Sequence, residues 1–324
     1  MIYKKYILKN RCLEYFKKKF KKIKFYFLLA SIYLIFLSYL NRKKEPSICL
    51  CLLSKQENRY LREYIEYYKK KKVDKIFLYD NNDIGDKNLN EFILDYIENG
   101  FINVTNYRGK IHPQIRAYQE CYNNNYNLYD WFIFYDSDEF IYLKDFKDLK
   151  KFLGDKRFIN CQRIQINWIY YTDNNLLYYD NRSLEERFTE KEPDAREGKT
   201  GIRKPIKSII RGHNPNLYIY DIHIINKNLS DCDGFGNKVQ RHSVFTLKPD
   251  YEYYYIKHYY SKSTEEFIDK IMKTDSFYSL SNSLKNKKIK RYFLINKITK
   301  EKLDLIETKT KINLSNYRDN IKNS

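Results

Sequence analysis

The stretch Trp131-Phe-Ile-Phe-Tyr-Asp-Ser-Asp-Glu-Phe140 decides the fold, because an apolar run leads directly into three acids. A short apolar run of this kind is typical of a strand buried within a parallel sheet. Side chains alternate along an extended chain, so Asp136 and Asp138 point to the same side, just beyond that strand. Carboxylate oxygens are ligands that Mg²⁺ and Mn²⁺ prefer. The stretch therefore predicts a divalent-cation site at a strand end.

Similar apolar runs precede this strand and alternate with amphipathic segments. The predicted strands are residues 47–53, 76–79, 101–105 and 131–135. The segments between them place apolar residues at helical spacing, with helices predicted from Asn58, over residues 89–97 and over residues 114–124. Strands that alternate with helices predict an α/β fold with a mostly parallel sheet and helices on both faces. Ligands of such sheets bind beyond the carboxyl ends of the strands.

Polar residues follow the first two predicted strands at that same edge. Gln56 and Glu57 come after the first strand, and Asp80 ends the second. A carboxylate at this place accepts hydrogen bonds from a nucleoside, although an Asp in a turn-rich loop equally serves the turn itself. The chain contains neither G-x-G-x-x-G nor a P-loop motif, which argues against a dinucleotide oxidoreductase or a P-loop enzyme.

After about residue 156 the pattern changes to short β-like runs, which polar loops separate. The runs are residues 158–168, 208–211 and 217–223. A helical region begins at Thr264, and residues 276–324 are rich in Lys and Asn. We expect a catalytic domain over residues 47–275 and a helical or partly disordered tail over residues 276–324.

The net charge of +20 resembles that of a nucleic-acid-binding protein until it is located along the chain. Residues 1–45 carry 13 of the 61 Lys and Arg but 2 of the 41 acids, so this segment supplies more than half of the net charge. A basic terminus of this kind is typical of a solvated or headgroup-facing segment. We therefore expect no nucleic-acid partner.

An uncharged, mainly apolar stretch at residues 25–40 lies between the basic segment 1–24 and a linker at residues 41–46. As a helix it spans roughly 24 Å, slightly less than the membrane core of about 30 Å. We expect a single-pass membrane anchor there. The alternatives are an interfacial helix, a cleaved signal peptide and a buried helix. The distribution of Lys and Arg favours a translocated catalytic body, but the side of the membrane stays open.

The six cysteines lack the spacing of a zinc site, since no C-x-x-C pair occurs among them. They are interpreted as small core residues, and disulfides are expected only if the body is lumenal. Their positions are Cys12, Cys49, Cys51, Cys121, Cys161 and Cys232.

Five segments, in order along the chain, together resemble one known family. Residues 55–68 match its K-N-E turn and the Y-L-R-E-W-x-x-Y-H that follows, and residues 79–82 match its Y-D-N-x strand end. Residues 114–121 match Q-x-x-A-x-x-x-C, and residues 136–140 match the D-x-D-E-F metal motif. Residues 258–270 match H-Y-x-x-[KR]-S-x-E-E-F-x-x-K. In these features the chain resembles GT-A glycosyltransferases of family 92 and related bacterial family-2-like enzymes.

This resemblance implies a GT-A fold and metal-dependent, inverting transfer of a sugar from a nucleoside diphosphate, with a UDP-sugar as the expected donor. The acceptor would be a glycan or another hydroxyl, and the cation Mn²⁺ or alternatively Mg²⁺. Asp80 would contact the nucleoside, together with Gln56 and Glu57 near the donor. Asp136 and Asp138 would bind the metal and diphosphate, and His258 would complete the metal site.

Two departures from the family pattern affect the donor pocket: Gln56 replaces an Asn, and Tyr68 replaces a His. Inversion also needs a general base to accept the proton of the acceptor hydroxyl. Glu186 is the preferred candidate because it lies in an acidic-Arg-aromatic run similar to that of relatives, and Asp233 is an alternative. The spacing does not choose among the remaining candidates, Glu185, Asp221 and Asp231.

Two other functions compete with a glycosyltransferase. The first is a nucleotidyltransferase or another metal-dependent phosphoryl enzyme on a similar sheet. The second is a basic membrane-surface or nucleic-acid-binding protein, which the clustering of charge at the N-terminus disfavours.

Overall fold

The computed structural model of the protein describes Ser31 and residues 45–111, 113–192, 206–221, 223, 229–239, 251–272 and 282–322. Contacts divide the chain after Glu45 into two units, and the second begins at Pro46. Except for Ser31, the predicted anchor at residues 25–40 lies outside the described residues. Among the residues that are described, no helix has the length and apolar character needed to cross a membrane.

Within the described residues, nine strands belong to one sheet. They are β1 (Ile48–Ser54), β2 (Lys75–Asp80), β3 (Ile102–Asn106), β4 (Trp131–Ile133), β5 (Glu139–Leu143), β6 (Arg163–Tyr170), β7 (Ile206–Arg211), β8 (Asp231–Cys232) and β9 (Tyr254–His258). The helices are α1 (Asn58–Lys70), α2 (Asn90–Glu98), α3 (Pro113–Asn125), α4 (Leu149–Leu153), α5 (Leu184–Arg187), α6 (Thr264–Met272), α7 (Asn282–Ile295), α8 (Lys300–Thr310) and α9 (Ser315–Lys322). This order confirms an α/β architecture.

The strand order is β3-β2-β1-β4-β7-β6-β9-β5, with β8 also paired to β6. The first four strands are mutually parallel, as the alternating pattern predicted. Beyond them β7 runs antiparallel to both β4 and β6, and β5 runs antiparallel to β9. The sheet is therefore mixed, because the second half of the chain contributes strands that are not separated by crossover helices. The predicted run at residues 217–223 forms no strand in its described part.

Alternate residues of β1 pack into two separate cores on opposite faces of the sheet. Ile48, Leu50 and Leu52 join a core that contains Tyr64 of α1. Cys49 and Cys51 join a core that includes Ala117, Cys121 and other residues of α3. The apolar run at 48–52 is continuous because both of its faces are buried.

Cys12 lies outside the described residues; the other five cysteines are buried in the core, as predicted, and two pairs of them form disulfides. Cys51 of β1 is bonded to Cys121 of α3, and Cys161 is bonded to Cys232 of β8. Cys49 is buried as a free thiol.

Helices α7 and α8 share the main core, which contains Tyr292 and Leu303 and thus extends past residue 275. A buried ion pair connects them to the sheet, with Lys302 Nζ lying 2.7 Å from Asp173 Oδ2, just after β6. The Tyr292 hydroxyl donates to the same carboxylate. The described part of the predicted tail is therefore helical, and two of its helices pack against the rest of the unit.

We expect Lys302→Ala to lower the free energy of unfolding by about 3–5 kcal/mol, because the substitution leaves Asp173 buried without its cation. Urea unfolding of the variant measures this change. Lys309→Ala, on the exposed side of the same helix, is the matched control and changes stability by less than about 0.5 kcal/mol. Equal stability of the two variants would contradict a structural role for the pair.

Candidate active site

The acids of the D-x-D-E stretch lie between β4 and the start of β5, in a segment (residues 136–139) that we call the acidic turn. Strand β4 ends at Ile133, so Asp136 and Asp138 belong to the turn that follows, and Glu139 is the first residue of β5. Because β5 is antiparallel to β9, Glu139 lies directly opposite His258 in the sheet. The register of these two strands thus brings the late histidine to the acidic turn, although more than a hundred residues separate them.

Asp136 is held from two elements and keeps about a third of its side chain exposed. Its Oδ1 accepts hydrogen bonds from Gln114 Nε2 at 3.0 Å and from the Tyr118 hydroxyl at 3.3 Å, both on α3. Its Oδ2 lies 2.7 Å from Lys207 Nζ on β7. The carboxylate is therefore fixed in position while its edge remains accessible to a ligand.

Lys207 is buried and contacts a second acid, with its Nζ lying 3.1 Å from Glu139 Oε2. Burial alone acts to lower the pKa of Lys207, but Asp136 and Glu139 together raise it above its ordinary value. Burial raises the pKa of Glu139 to about 8, against the effect of the Lys207 ammonium. Glu139 Oε2 also accepts a hydrogen bond from the Asp136 backbone N–H at 3.0 Å. This contact fixes the shape of the acidic turn.

Asp138 has two partners from the C-terminal side of the chain. Its Oδ2 lies 2.9 Å from Lys270 Nζ, and its Oδ1 lies 3.5 Å from His258 Nε2. Burial acts to raise the pKa of Asp138, but Lys270 and His258 outweigh it and hold this pKa well below its usual range. Burial lowers the pKa of His258, against the effect of Asp138. The histidine is consequently neutral near pH 7, the form that binds metal ions.

The residues predicted to contact the donor line the neighbouring strand ends. Asp80 accepts a hydrogen bond from Arg108 Nε at 2.8 Å, so the structure pairs this carboxylate with a cation of the chain. Gln56 has a left-handed backbone with φ of 53°. Its side-chain amide donates to Asp83 and Asp86 at 3.2 and 3.1 Å.

A pocket of about 120 Å³ lies beside Gln56 and Glu57, and one of its lining residues, Lys270, contacts Asp138. It is lined by Gln56, Glu57, Arg59, Tyr60, Lys262, Glu266, Asp269 and Lys270. Lys262 Nζ lies 2.9 Å from Glu57 Oε2, and Lys270 contacts Asp138 as described above. Both lysines line the pocket together with Gln56 and Glu57, so the contact of Lys270 places Asp138 near these two residues.

The two predicted general bases make local contacts. Glu186 Oε2 accepts a hydrogen bond from the Ser183 backbone N–H, and Ser183 Oγ accepts one from the Glu186 backbone N–H, and these two bonds form the capping box of α5. Asp233 Oδ1 accepts from the backbone N–H groups of Phe235 and Asn237. Neither contact involves the acidic turn, and the assignment of either residue as the base stays a prediction.

The remaining acids that competed for this role have local or structural contacts as well. Glu185 is paired with Lys257 at 2.6 Å, and Asp231 forms a buried pair with Arg163. Asp221 accepts a hydrogen bond from the backbone N–H of His223 at 2.7 Å.

Four residues that shape the site were not assigned to it from the sequence: Gln114, Glu139, Lys207 and Lys270. Gln114 begins one of the recognised motifs, Lys270 ends another, and Glu139 belongs to a third. The sequence feature that could have identified Lys207 is its position as the one charged residue within the apolar run Ile206-Lys-Ser-Ile-Ile210. A charge at such a position is buried at a high cost unless it has partners.

The donor chemistry of the acidic turn suits a divalent cation. Asp136 and Asp138 supply carboxylates and His258 supplies a neutral imidazole, which are accepted ligand types for Mn²⁺. The buried Nδ1 of His258 has no hydrogen-bond partner among the described residues. Within those same residues, no three such side chains already converge as a complete ligand set. Two of the three candidate metal ligands are already close, since His258 Nε2 lies 3.5 Å from Asp138 Oδ1.

Comparison with known proteins identifies the class of this chain. Residues 44–302 match the family model of glycosyltransferase family 92. The chain therefore belongs to glycosyltransferase family 92, which confirms the resemblance found in its motifs.

Individual relatives match shorter stretches. The chain is 32% identical over 110 residues to the family 92 protein Os08g0121900 of Oryza sativa subsp. japonica, covering 31% of this chain and 17% of the rice protein. It is 28% identical over 108 residues to RCOM_0530710 of Ricinus communis, covering 32% and 18%. The matches thus span less than a fifth of these plant proteins.

Among solved structures, S. aureus TarS 1-349 in complex with UDP-GlcNAc has a TM-score of 0.38 and 12% identity to this chain. That similarity covers 76% of this chain and 71% of the TarS chain.

The pairing of Asp138 gives a pH-dependent prediction. A carboxylate with a depressed native pKa adds stability above its unfolded pKa of about 3.9 and loses that contribution as the pH falls through the native value. We expect Asp138→Asn to be less stable than wild type by about 2 kcal/mol at pH 7, because the half-buried Lys270 loses its partner. The difference should start to narrow as the pH falls below about 4 and close only as the pH passes the native pKa, which lies well below that value.

Chemical denaturation at several pH values measures this difference. Asp95→Asn, which alters an exposed pair with Arg62, serves as the control and shows little change at any pH. A stability gap for Asp138→Asn that is independent of pH would rule out the proposed electrostatic origin.

Proposed function

We propose that this chain transfers a sugar from a nucleoside-diphosphate sugar to a glycan or other hydroxyl acceptor. The observation that carries the proposal is the acidic turn of a family 92 chain, at the edge of the sheet where the parallel strands β1 and β4 end. Ligands of α/β sheets bind at this edge. The pocket beside it has a polar lining with both acids and amines.

We propose that one set of residues binds the nucleoside of the donor and another set binds its diphosphate. Gln56, Glu57 and Asp80 lie at the ends of β1 and β2, where a nucleoside fits. Asp138 contacts Lys270 of the pocket lining, and we propose that Asp136 and Asp138 bind the diphosphate side of the donor. A UDP-sugar is the donor we propose.

We propose a divalent cation, Mn²⁺ in preference to Mg²⁺, with Asp136, Asp138 and His258 as its ligands. The support is the donor chemistry of these side chains and the closeness of Asp138 to His258. When bound, such an ion offsets the negative charge of the departing diphosphate. Lys207 holds Asp136 in place, with its Nζ 2.7 Å from Asp136 Oδ2.

Transfer with inversion is proposed from the family resemblance, and it requires one base. Glu186 remains the first candidate and Asp233 the second. If Glu186 is the base, Glu186→Gln lowers kcat by about 10²–10⁴-fold. A carboxylate that only caps α5 leaves kcat close to that of wild type.

The reaction is tested on a purified fragment that begins at Lys43, with Mn²⁺ and a panel of nucleotide sugars. We expect metal-dependent release of nucleoside diphosphate from one donor. The Asp136→Ala, Asp138→Ala double variant should lose this turnover by at least about 10²-fold, since it removes the groups that stabilise the leaving diphosphate.

Asp95→Asn is the matched control, because it removes an exposed carboxylate on α2, and it should turn over normally. Thermal unfolding confirms that each variant is folded. Release of pyrophosphate instead of nucleoside diphosphate would identify a nucleotidyltransferase, and no turnover of any donor by a folded fragment would refute the proposal.

We also propose that the catalytic unit resides in an oxidising compartment, tethered through an anchor at residues 25–40. The support is the pair of disulfides, since such bonds persist in secreted or lumenal proteins and are rare in the cytosol. Each bond closes a loop of about seventy residues. In the chain-entropy model a loop of this length corresponds to about 4 kcal/mol of stability.

We expect Cys51, Cys121, Cys161 and Cys232 to be protected when the full chain is alkylated directly in its native cells and then mapped by mass spectrometry. Reduction before alkylation should expose all four and lower the melting temperature. Cys49 is the internal control, because it is a free thiol that becomes labelled once the protein is denatured, with or without reduction. Labelling of the four residues without prior reduction would place the unit in a reducing compartment.

A further inference from the structure

Lys270 is the one lysine that joins the acidic turn to the pocket beside it, within the part of the chain that the structure describes. Its ammonium lies 2.9 Å from Asp138 Oδ2 and donates to the Tyr260 carbonyl at 3.2 Å. It also lies 4.3 Å from the centre of the Tyr260 ring. The same side chain lines the pocket that contains Gln56 and Glu57.

The placement of this ammonium is maintained by the fold around it. Lys270 lies in α6, whose first residue, Thr264, is hydrogen-bonded to Tyr292 of α7 at 2.8 Å. The Tyr292 hydroxyl in turn donates to the buried Asp173. These contacts anchor the first turn of α6, the helix that carries Lys270.

Lys262 lines the same pocket but is held more firmly. Its ammonium lies 3.7 Å from the centre of the Tyr60 ring and 2.9 Å from Glu57, and only 5% of its side chain is exposed. A quarter of the Lys270 side chain is exposed. Lys270 is thus the more accessible of the two ammonium groups to an anion that enters the pocket.

We propose that Lys270 is a diphosphate-binding residue, which exchanges its contact with Asp138 for a contact with the donor's diphosphate. This inference rests on the proposed function and assigns a ligand to one side chain of that site. The exchange is driven by charge: a cation that binds Asp138 competes with the Lys270 ammonium for the same carboxylate. The released ammonium then lies beside the pocket, and an ammonium binds phosphate oxygens as a point charge.

Two opposite effects distinguish this role from a purely structural ion pair. If Lys270 binds the diphosphate, its loss weakens the binding of nucleoside diphosphates and leaves the binding of the nucleoside unchanged. If Lys270 also competes for Asp138, its loss leaves the affinity for the cation alone equal or higher. A lysine that only holds Asp138 in place would instead weaken cation binding when it is removed.

The experiment measures the binding of UDP, GDP, ADP and uridine to the full chain by calorimetry in the presence of Mn²⁺. Binding of Mn²⁺ alone is measured by electron paramagnetic resonance. The variants are Lys270→Met, Lys270→Gln and Lys270→Arg. The matched control is Lys257→Met, which removes a lysine from another ion pair, with Glu185, outside the pocket.

We expect Lys270→Met and Lys270→Gln to weaken binding of the preferred nucleoside diphosphate by at least about tenfold, the loss of one charge-assisted contact. Uridine, or the nucleoside that matches the preferred diphosphate, should bind within about twofold of wild type. Lys270→Arg, which keeps the charge, should retain most of the affinity, and Lys257→Met should retain all of it. If Lys270→Met does not fold, Lys270→Gln provides the same comparison.

Equal losses for the diphosphate and the nucleoside, or no loss for either, would overturn the assignment of Lys270. Weaker binding of Mn²⁺ alone to Lys270→Met would overturn the exchange at Asp138. A wild-type chain that binds none of the three diphosphates would refute the proposed function itself, so the two failures are distinguishable.

Discussion

The geometry of the site depends on the contacts that the buried Lys207 ammonium makes with Asp136 and Glu139. The buried lysine is stable there because its Nζ lies 2.7 Å from Asp136 and 3.1 Å from Glu139, which satisfy the ammonium inside the fold. Glu139 also accepts the backbone N–H of Asp136, so the same buried group fixes the turn and orients its first carboxylate. The lysine lies on β7, and the site is therefore complete only when the antiparallel part of the sheet has joined β4.

A second set of contacts extends from the acidic turn to the end of the chain. His258 reaches Asp138 because β9 pairs with β5, and Lys270 reaches it from α6. Helix α6 is supported by Tyr292, and Tyr292 shares Asp173 with Lys302. Helices α7 and α8 thus support α6 from outside the pocket, since none of their described residues lines it. A long, basic C-terminal segment is retained in the fold by a buried ion pair as well as by apolar packing.

One of the two disulfides, Cys51–Cys121, reinforces the core on the other face of the sheet. Cys51 and Cys121 join β1 to α3, the helix whose Gln114 and Tyr118 hold Asp136. The position of Asp136 is consequently set from α3 on one side and from β7 on the other. A carboxylate with this support remains in place when ligands enter and leave, as preorganised electrostatic stabilisation requires.

The parallel half of the fold follows from local pattern alone, because runs such as Ile48–Leu52 must bury both faces and the amphipathic segments between them must cover those faces. The sequence also located Asp136 and Asp138 at the edge of the sheet, and its motifs indicated the family that the family model confirms. Local pattern carries no information about antiparallel pairing between distant segments, so the mixed sheet was missed. The partners of the acids, Lys207 and Lys270, depend on that pairing and on helix α6. Only the tertiary structure decided them, because a buried charge is stabilised by groups that are close in space and far apart in the chain.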